Sequence, residues 1–200
     1  MAGLVAALSL IATGALAADP ASIATVTATD HVLGNPRAPI TLIEYGSVAC
    51  PACASFNEDV MPQIKAKYID TGKVRYVFRP MLTGVPTIAV AGTRLAECAG
   101  KDKYFAVVDA VMRGQKDYYA MGENNMLARP VLIKIAQSFG LDEAAFNTCA
   151  GDADGLQGLQ NQQDAAIKAG VRSTPTLFVN GKKLENNQLA DVEKAIADAK

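Results

Sequence analysis

The sequence predicts an α/β protein in which one sheet-containing domain is interrupted by an all-helical insert. A strand–helix–strand pattern opens the chain, and a strand–turn–strand–helix pattern closes it. Between them, residues 87–168 carry helical patterns without a strand. Two hundred residues are enough for one domain with such an insert. We therefore expect residues 22–84 and 170–200 to form one discontinuous domain, with residues 85–169 as the helical insert.

The first seventeen residues are typical of a signal peptide. They carry no charge and end in Ala15-Leu16-Ala17, a small-x-small pattern that suits signal peptidase. Their apolar run is shorter than the roughly 20 residues of a transmembrane helix. No Lys or Arg precedes it, so a membrane-tethering or disordered N-terminus is the alternative. We expect residues 1–17 to direct export to the periplasm.

The strand–helix–strand unit follows. A short strand is predicted at residues 24–28, and a buried strand at residues 40–45, which are β-branched or aromatic in the main. The helix after it has an apolar residue at every fourth position: Phe56, Val60, Ile64 and Tyr68. Pro62 is expected to kink this helix. Alternating apolar residues predict the next strand at residues 73–79.

The C-terminal unit is predicted from a strong turn signal. Residues 176–179 form a strand pattern, and Asn180-Gly181 directly after them favours a two-residue hairpin turn. Residues 182–184 would begin the return strand. The last helix has Asn186 or Asn187 available as its N-cap.

Cys50 and Cys53 form a Cys-Pro-Ala-Cys motif where the strand at residues 40–45 gives way to a helix. Unpaired N–H groups and the helix dipole lower the pKa of a thiol there, and the thiolate is the nucleophile of disulfide exchange. Pro51 suits the first helical turn. The motif could also be a structural disulfide or half of a metal site, but its position favours a redox pair with both cysteines catalytic.

Glu44 is the third candidate catalytic residue. It lies six residues before Cys50, in a strand that is otherwise mainly apolar. Burial behind the cysteine pair would raise its pKa, so that it could exchange protons with Cys53. Alternatively, Glu44 is solvated at a strand edge or forms a structural hydrogen bond.

Cys98 and Cys149 lie on apolar faces of predicted helices in the insert. In an exported protein with four cysteines, we expect them to form a structural disulfide, although two buried free thiols are the alternative. With a single histidine, His31, and no second Cys-x-x-Cys motif, the sequence gives little support to a zinc site.

The charge balance argues against nucleic acid as a partner. The chain has 19 Lys and Arg against 20 Asp and Glu, and no basic face is visible in the sequence. No cofactor is expected, and a monomer is the default expectation.

Taken together, these motifs resemble the DsbA family of thioredoxin-fold proteins over nearly all of the mature chain. The resemblance rests on four segments: residues 33–36 (Leu-Gly-Asn-Pro), 40–53, 68–74 and 173–181. The helical block also matches the insert of that family. The resemblance implies a thioredoxin fold with an inserted all-helical domain.

The resemblance also implies roles for individual residues. Cys50 would be the attacking thiol, Cys53 the resolving thiol and Glu44 the buried acid. Pro175, which by itself could simply precede a strand, would be cis and pack opposite the cysteines. Thr174 would offer backbone hydrogen bonds to an extended substrate chain.

The implied activity is disulfide exchange with reduced or misfolded exported proteins, most simply as a disulfide donor. A membrane redox partner, DsbB-like or DsbD-like, would reset the pair. The best-known members have His where this chain has Ala52, so a weaker oxidant is expected. Thr174 stands where they have Val, as in several reductase and isomerase relatives, and this too points away from a pure oxidase. The alternatives are a reductase or isomerase of the same fold and, in a different class, a thiol-based metal-handling or chaperone protein.

Overall fold

The computed structural model describes residues 24–120 and 128–199. The predicted signal peptide at residues 1–17 lies outside the described residues. The described strands are β1 (Val32–Leu33), β2 (Ile40–Gly46), β3 (Val74–Pro80), β4 (Thr176–Val179) and β5 (Lys182–Lys183). They form one sheet in the order β1-β3-β2-β4-β5, in which β2 is parallel to β3 and antiparallel to β4. The strand that precedes the cysteine motif is thus central.

Helices surround this sheet. They are α1 (Pro51–Ser55), α2 (Met61–Ile64), α3 (Pro86–Cys98), α4 (Tyr104–Arg113), α5 (Gln115–Ala120), α6 (Ala128–Ser138), α7 (Glu143–Ala150), α8 (Ala153–Lys168) and α9 (Leu189–Asp198). In the described residues between β3 and β4 there are helices α3 to α8 and no strand. This confirms the predicted fold class, an α/β sheet with a helical insert. The domain limits at residues 84/85 and 169/170 stay a prediction.

The helix after Cys50 departs from a regular α-helix around Pro62. Two π-helical segments, Phe56–Val60 and Lys65–Ile69, flank α2. In these wider turns the N–H donates five residues back, as from Met61 to Phe56. Since proline has no N–H to donate, the helix adjusts at this point instead of continuing its regular pattern. Two wide turns thus lie around Pro62, and the kink predicted there stays a prediction.

The two faces of the sheet carry separate cores because side chains alternate along each strand. Leu42 of β2 belongs to a core that also contains residues of α1, α2, α4 and α9, whereas Ile43 and Tyr45 belong to the core on the other face. On that second face, the buried Arg79 guanidinium donates to both carboxylate oxygens of Asp30, at 2.9 and 2.7 Å. Glu44 therefore shares the face on which α1 lies.

Both edges of the described sheet are short. β1 and β5 have two residues each, and β5 consists of two exposed lysines. The turn before β5 is made by Asn180 and Gly181, with φ angles of 44° and 84°, as the predicted hairpin requires.

Two local predictions are wrong. Residues 24–28 contain turns and a bend but no strand, and the first strand of the described residues is β1. A β-branched run alone does not make a strand, because a strand needs a partner, and the Val26 side chain packs on the second core instead. The N-cap of α9 is Gln188, which makes no side-chain cap hydrogen bond, and not Asn186 or Asn187.

Cys98, at the end of α3, and Cys149, in α7, are joined as a disulfide with their Cα atoms 6.2 Å apart. The bridge connects two helices of the insert. The helices of the described residues are all too short or too polar to span a membrane.

We predict that replacing both Cys98 and Cys149 by Ala lowers the free energy of unfolding by about 4 kcal/mol. The bridge closes a loop with a sequence separation of 51 residues, which restricts the unfolded chain. Urea denaturation of the oxidised protein measures the change, and disulfide exchange at Cys50 and Cys53 should stay measurable. Equal stability of the double variant and the wild type would contradict a structural role.

Candidate active site

The Cys50 thiol lies in a turn that links the central strand to a helix. β2 ends at Gly46, and the Cys50 N–H donates to the Ser47 carbonyl at 3.1 Å, closing the turn. Cys50 is the N-cap of α1, with an extended backbone, and Pro51 follows in the first helical turn. The free N–H groups of this turn of helix therefore point toward the sulfur.

The Cys50 pKa is lowered to about 5. The largest cause is the hydrogen bond from the Cys53 thiol, and partial burial opposes it. The Thr174 hydroxyl and the backbone N–H groups of Cys53 and Ala52 lower the pKa further. A thiolate at Cys50 is therefore stabilised by side-chain and backbone donors together, as disulfide exchange requires.

Cys53 is fully buried, and its pKa is raised where that of Cys50 is lowered. Its hydrogen bond to Cys50 raises its pKa far above the usual range, and burial and the charge of Glu44 add to this effect. The Ser47 N–H donates to Cys53 Sγ at 3.3 Å. At neutral pH the pair thus consists of one thiolate, half-buried, and one buried thiol.

Glu44 is 1% exposed, on the face of β2 that looks toward α1. Burial raises its pKa to about 8, although a hydrogen bond from Tyr76 acts in the other direction. That bond runs from Tyr76 Oη to Glu44 Oε2 at 2.7 Å. Oε1 has no hydrogen-bond partner among the described residues, and a Cβ at Gly46 would lie 2.5 Å from it. The carboxyl group is therefore held as a mainly protonated acid behind the cysteines.

The loop before β4 completes the site from the opposite side. The Thr174–Pro175 peptide bond is cis, and Cys50 Sγ lies 3.5 Å from the Thr174 carbonyl oxygen. The Thr174 hydroxyl is 2.7 Å from the Thr83 hydroxyl. The structure thus brings together the predicted catalytic and substrate-binding residues, Cys50, Cys53, Glu44, Thr174 and Pro175, whereas Cys98 and Cys149 lie apart in the insert.

The comparisons with known proteins agree with this geometry. A family model described as thioredoxin matches residues 26–198. A putative protein-disulfide oxidoreductase of Rickettsia prowazekii is 30% identical over 172 residues, 85% of this chain and 61% of the relative. The crystal structure of Wolbachia pipientis alpha-DsbA1 superimposes with a TM-score of 0.82 at 29% identity, covering 90% of this chain and 96% of that one.

The chain belongs to the DsbA-like family of thioredoxin-fold disulfide oxidoreductases. BdbD from Bacillus subtilis, at 23% identity and a TM-score of 0.75, shares the fold. The chain covers 60% to 66% of the length of the first three curated relatives that it matches.

In this DsbA-like protein, α5 of the insert holds the cysteine turn. Gln115 is buried and donates from Nε2 to the carbonyl oxygens of Val48 and Cys50, at 2.8 and 3.2 Å. Tyr119 donates from Oη to the Ala49 carbonyl at 2.6 Å. Sequence reasoning missed both residues because nothing local marks a glutamine 65 residues away as a partner of Cys50.

Sequence reasoning also missed a close contact between the segment after β3 and the cysteine turn. Gly84 has a φ angle of +82°, and a Cβ there would lie 2.2 Å from the Ala49 carbonyl oxygen. Only glycine fits both the angle and the space. A Gly shortly after the strand-ending Pro80 is the one sequence signal that could have indicated this approach.

Two shallow cavities flank the cysteine motif. One of about 280 Å³ is lined by Ala52, Thr174 and Pro175, and the other, of about 230 Å³, by Pro51 and Tyr119. A cavity of about 530 Å³ lies elsewhere, beside α8, and neither cysteine lines it. Nowhere in the described residues do three or more His, Cys, Asp or Glu side chains cluster as metal ligands would.

We predict that E44Q reduces the loss of stability between pH 5 and pH 8. The folded-state pKa of Glu44, about 8, lies above its ordinary value of 4.5, so the folded protein keeps a proton that the unfolded chain releases. Its contribution to stability is therefore lost as the pH rises through this window, by at most about 4 kcal/mol.

The measurement is urea denaturation of the oxidised protein at both pH values, because the Cys50–Cys53 disulfide does not titrate. E185Q, at an exposed carboxylate, is the control that should keep the wild-type pH dependence. Identical pH dependence in E44Q and the wild type would show that Glu44 does not retain its proton.

Proposed function

We propose that this protein is an exported thiol–disulfide oxidoreductase that donates disulfides to reduced exported proteins. The observation that carries the proposal is the pairing of a stabilised thiolate at Cys50 with a buried, protonated thiol at Cys53. Such a pair favours the reduced form of the enzyme, and a dithiol whose reduced form is stabilised is an oxidant.

In the proposed reaction, a substrate thiolate attacks Cys50 Sγ of the oxidised enzyme. A substrate–Cys50 disulfide forms, the Cys50–Cys53 bond breaks, and Cys53 leaves as a thiolate. Glu44, which carries a proton around neutral pH and whose Oε1 atom has no hydrogen-bond partner among the described residues, supplies a proton to Cys53. The Ser47 N–H supports the negative charge on Cys53 until the proton arrives.

The second step releases the product. Another thiolate of the substrate attacks the substrate sulfur of the mixed disulfide and expels Cys50. Because the pKa of Cys50 is about 5, it is a good leaving group. The substrate gains a disulfide, and its two electrons now reside on the Cys50–Cys53 dithiol. A DsbB-like membrane redox protein that accepts these two electrons would return the pair to the disulfide, whereas a DsbD-like protein, which supplies electrons, would fit the reductase or isomerase alternative.

The substrate segment would lie along the cis-proline loop. A chain that adds to a strand edge is held by main-chain hydrogen bonds, and the Thr174 carbonyl lies 3.5 Å from the reacting sulfur. Pro175, which follows Thr174, has no N–H group, so the loop has no backbone donor at that position to compete with those of the substrate chain. The cavity of about 280 Å³ beside Thr174 and Pro175 gives room for a neighbouring substrate side chain.

The donor role predicts a reduction potential well above the thioredoxin value of about −270 mV. Equilibration of the wild-type protein with reduced and oxidised glutathione measures it directly. A thioredoxin-like potential would instead identify a reductase or isomerase, tuned by Ala52 and Thr174.

We predict that Cys53→Ala traps a mixed disulfide between Cys50 and a reduced, unfolded substrate protein. The resolving thiol is then absent, so the adduct persists and is visible on a non-reducing gel. Cys50→Ala is the matched control and should form no adduct, because Cys53 is fully buried. If the Cys53→Ala variant captures no protein, or binds stoichiometric metal instead, the exchange function is wrong.

A further inference from the structure

Tyr119, in α5, presents an aromatic ring to solvent close to the cysteine motif. It is 39% exposed, and the other large hydrophobic side chain that the described residues leave exposed is Ile167, in α8. A single exposed apolar residue is ordinary, so its place in the structure decides what it means. Tyr119 Oη donates to the carbonyl oxygen of Ala49, the residue before Cys50, at 2.6 Å. The ring therefore lies at the edge of the reacting turn.

The Tyr119 ring is held in place before a substrate arrives. Its hydroxyl proton is donated to Ala49, and the ring packs edge-on against the buried Tyr118, with 6.4 Å between the ring centroids. At the start of the same helix, Gln115 donates to the Cys50 carbonyl oxygen at 3.2 Å. A side chain that is already ordered loses little conformational entropy on binding, which favours its use as a contact surface.

Beside the ring lies the cavity of about 230 Å³, between α1 and the insert helices α4 and α5. Its apolar lining comes from Pro51 and Ala54 of α1, Met112 of α4 and Tyr119 of α5. Since Pro51 directly follows Cys50, the cavity is adjacent to the reacting residue. Pro175 lines the other shallow cavity and not this one, so the two cavities offer separate contacts beside the cysteine motif.

The charged side chains that line this cavity are all in ion pairs. Lys116 Nζ lies 2.9 Å from Glu58 Oε1, and Arg113 Nε lies 2.9 Å from Asp109 Oδ2. A charged substrate group placed there would lose water without gaining a free partner from this lining. The cavity therefore suits an apolar side chain.

We propose that Tyr119 and this cavity bind an apolar side chain of the substrate, two residues from its reacting cysteine. In an extended chain, residues two positions apart lie on the same face, about 7 Å from each other. When the substrate sulfur is bonded to Cys50, the side chains two positions before and after it therefore face the enzyme as well. One would meet the cavity beside Pro175, and the other would meet the Tyr119 ring.

This subsite would select unfolded substrates. A folded protein buries most of its large apolar side chains, whereas an unfolded chain exposes them near its cysteines. The inference deepens the proposed function by naming a sequence feature of the substrate, and it rests on the formation of a mixed disulfide at Cys50.

The test measures how short capped peptides compete with glutathione for Cys50 in the Cys53→Ala variant. The glutathione–Cys50 disulfide breaks, a peptide–Cys50 disulfide forms, and glutathione leaves as the thiol. Each peptide has one cysteine between two glycines, so the peptide thiols are chemically alike. One peptide carries serine at both positions two residues from the cysteine, and the other two carry phenylalanine at one of these positions.

Mass spectrometry of acid-quenched mixtures gives the exchange constant of each peptide. One of the two phenylalanine peptides should exchange about three- to tenfold more favourably than the serine peptide, because its ring leaves water on binding. The ratio compares peptides on one protein variant, so a change in the reactivity of Cys50 does not affect it.

Variants in the same Cys53→Ala background identify the place of contact. Y119A should remove the preference, whereas Y119F, which keeps the ring and loses the hydroxyl, should retain it. S55E, which puts a carboxylate into the cavity from α1, should also remove the preference and serves if Y119A does not fold. I167A removes the exposed apolar side chain of α8 and is the matched control that should retain the preference.

The outcomes separate this inference from the proposed function. Equal exchange constants for the three peptides, a preference that persists in Y119A or S55E, or its loss in Y119F or I167A would overturn the subsite. If the Cys53→Ala variant forms no mixed disulfide with glutathione or with any peptide, exchange at Cys50 itself is wrong, and the proposed function fails with it.

Discussion

The turn between β2 and α1 leaves the Cys50 sulfur beside backbone N–H groups that have no partner in the helix. A negative charge is stable there only while the turn keeps its shape, because those donors must all converge on one atom. The turn is held from several directions: by Gln115 and Tyr119 from the insert, by the close contact with Gly84, and by Ser47 from within. By holding this turn in shape, the helical insert therefore helps to stabilise the negative charge on Cys50.

Burial divides the titratable groups of the site into two kinds. Cys53, Glu44 and Tyr76 are removed from water and their pKa values are raised, so each is neutral around pH 7. Cys50 is half-buried and has enough donors to be charged. A second buried negative charge would repel the thiolate strongly in a medium of low dielectric constant. Because the buried Glu44 carboxyl group is neutral, it does not repel the Cys50 thiolate.

The sequence predicted the parts of this arrangement that are local. The strand at β2, the helix start at Cys50 and the burial of Glu44 follow from patterns within about fifteen residues, and the hairpin at Asn180-Gly181 follows from two. Contacts over long sequence distances could not be predicted: Thr83 meets Thr174 across 91 residues, and Tyr119 meets Ala49 across 70. The error at residues 24–28 has the same origin, since strand pairing is decided by distant partners.

The short edge strands have a consequence for a protein proposed to act on unfolded chains. An extended chain that adds to a sheet needs a run of free N–H and C=O groups, and a two-residue strand offers very few. In the described sheet, β1 and β5 are that short, and Lys182 and Lys183 place positive charge along the second edge. The edges of the described sheet therefore offer an extended chain little to pair with, which leaves the loop beside Cys50 as the proposed place of contact. Short edges of this kind, one of them charged, also give a second copy of the described sheet few unpaired backbone groups to add to.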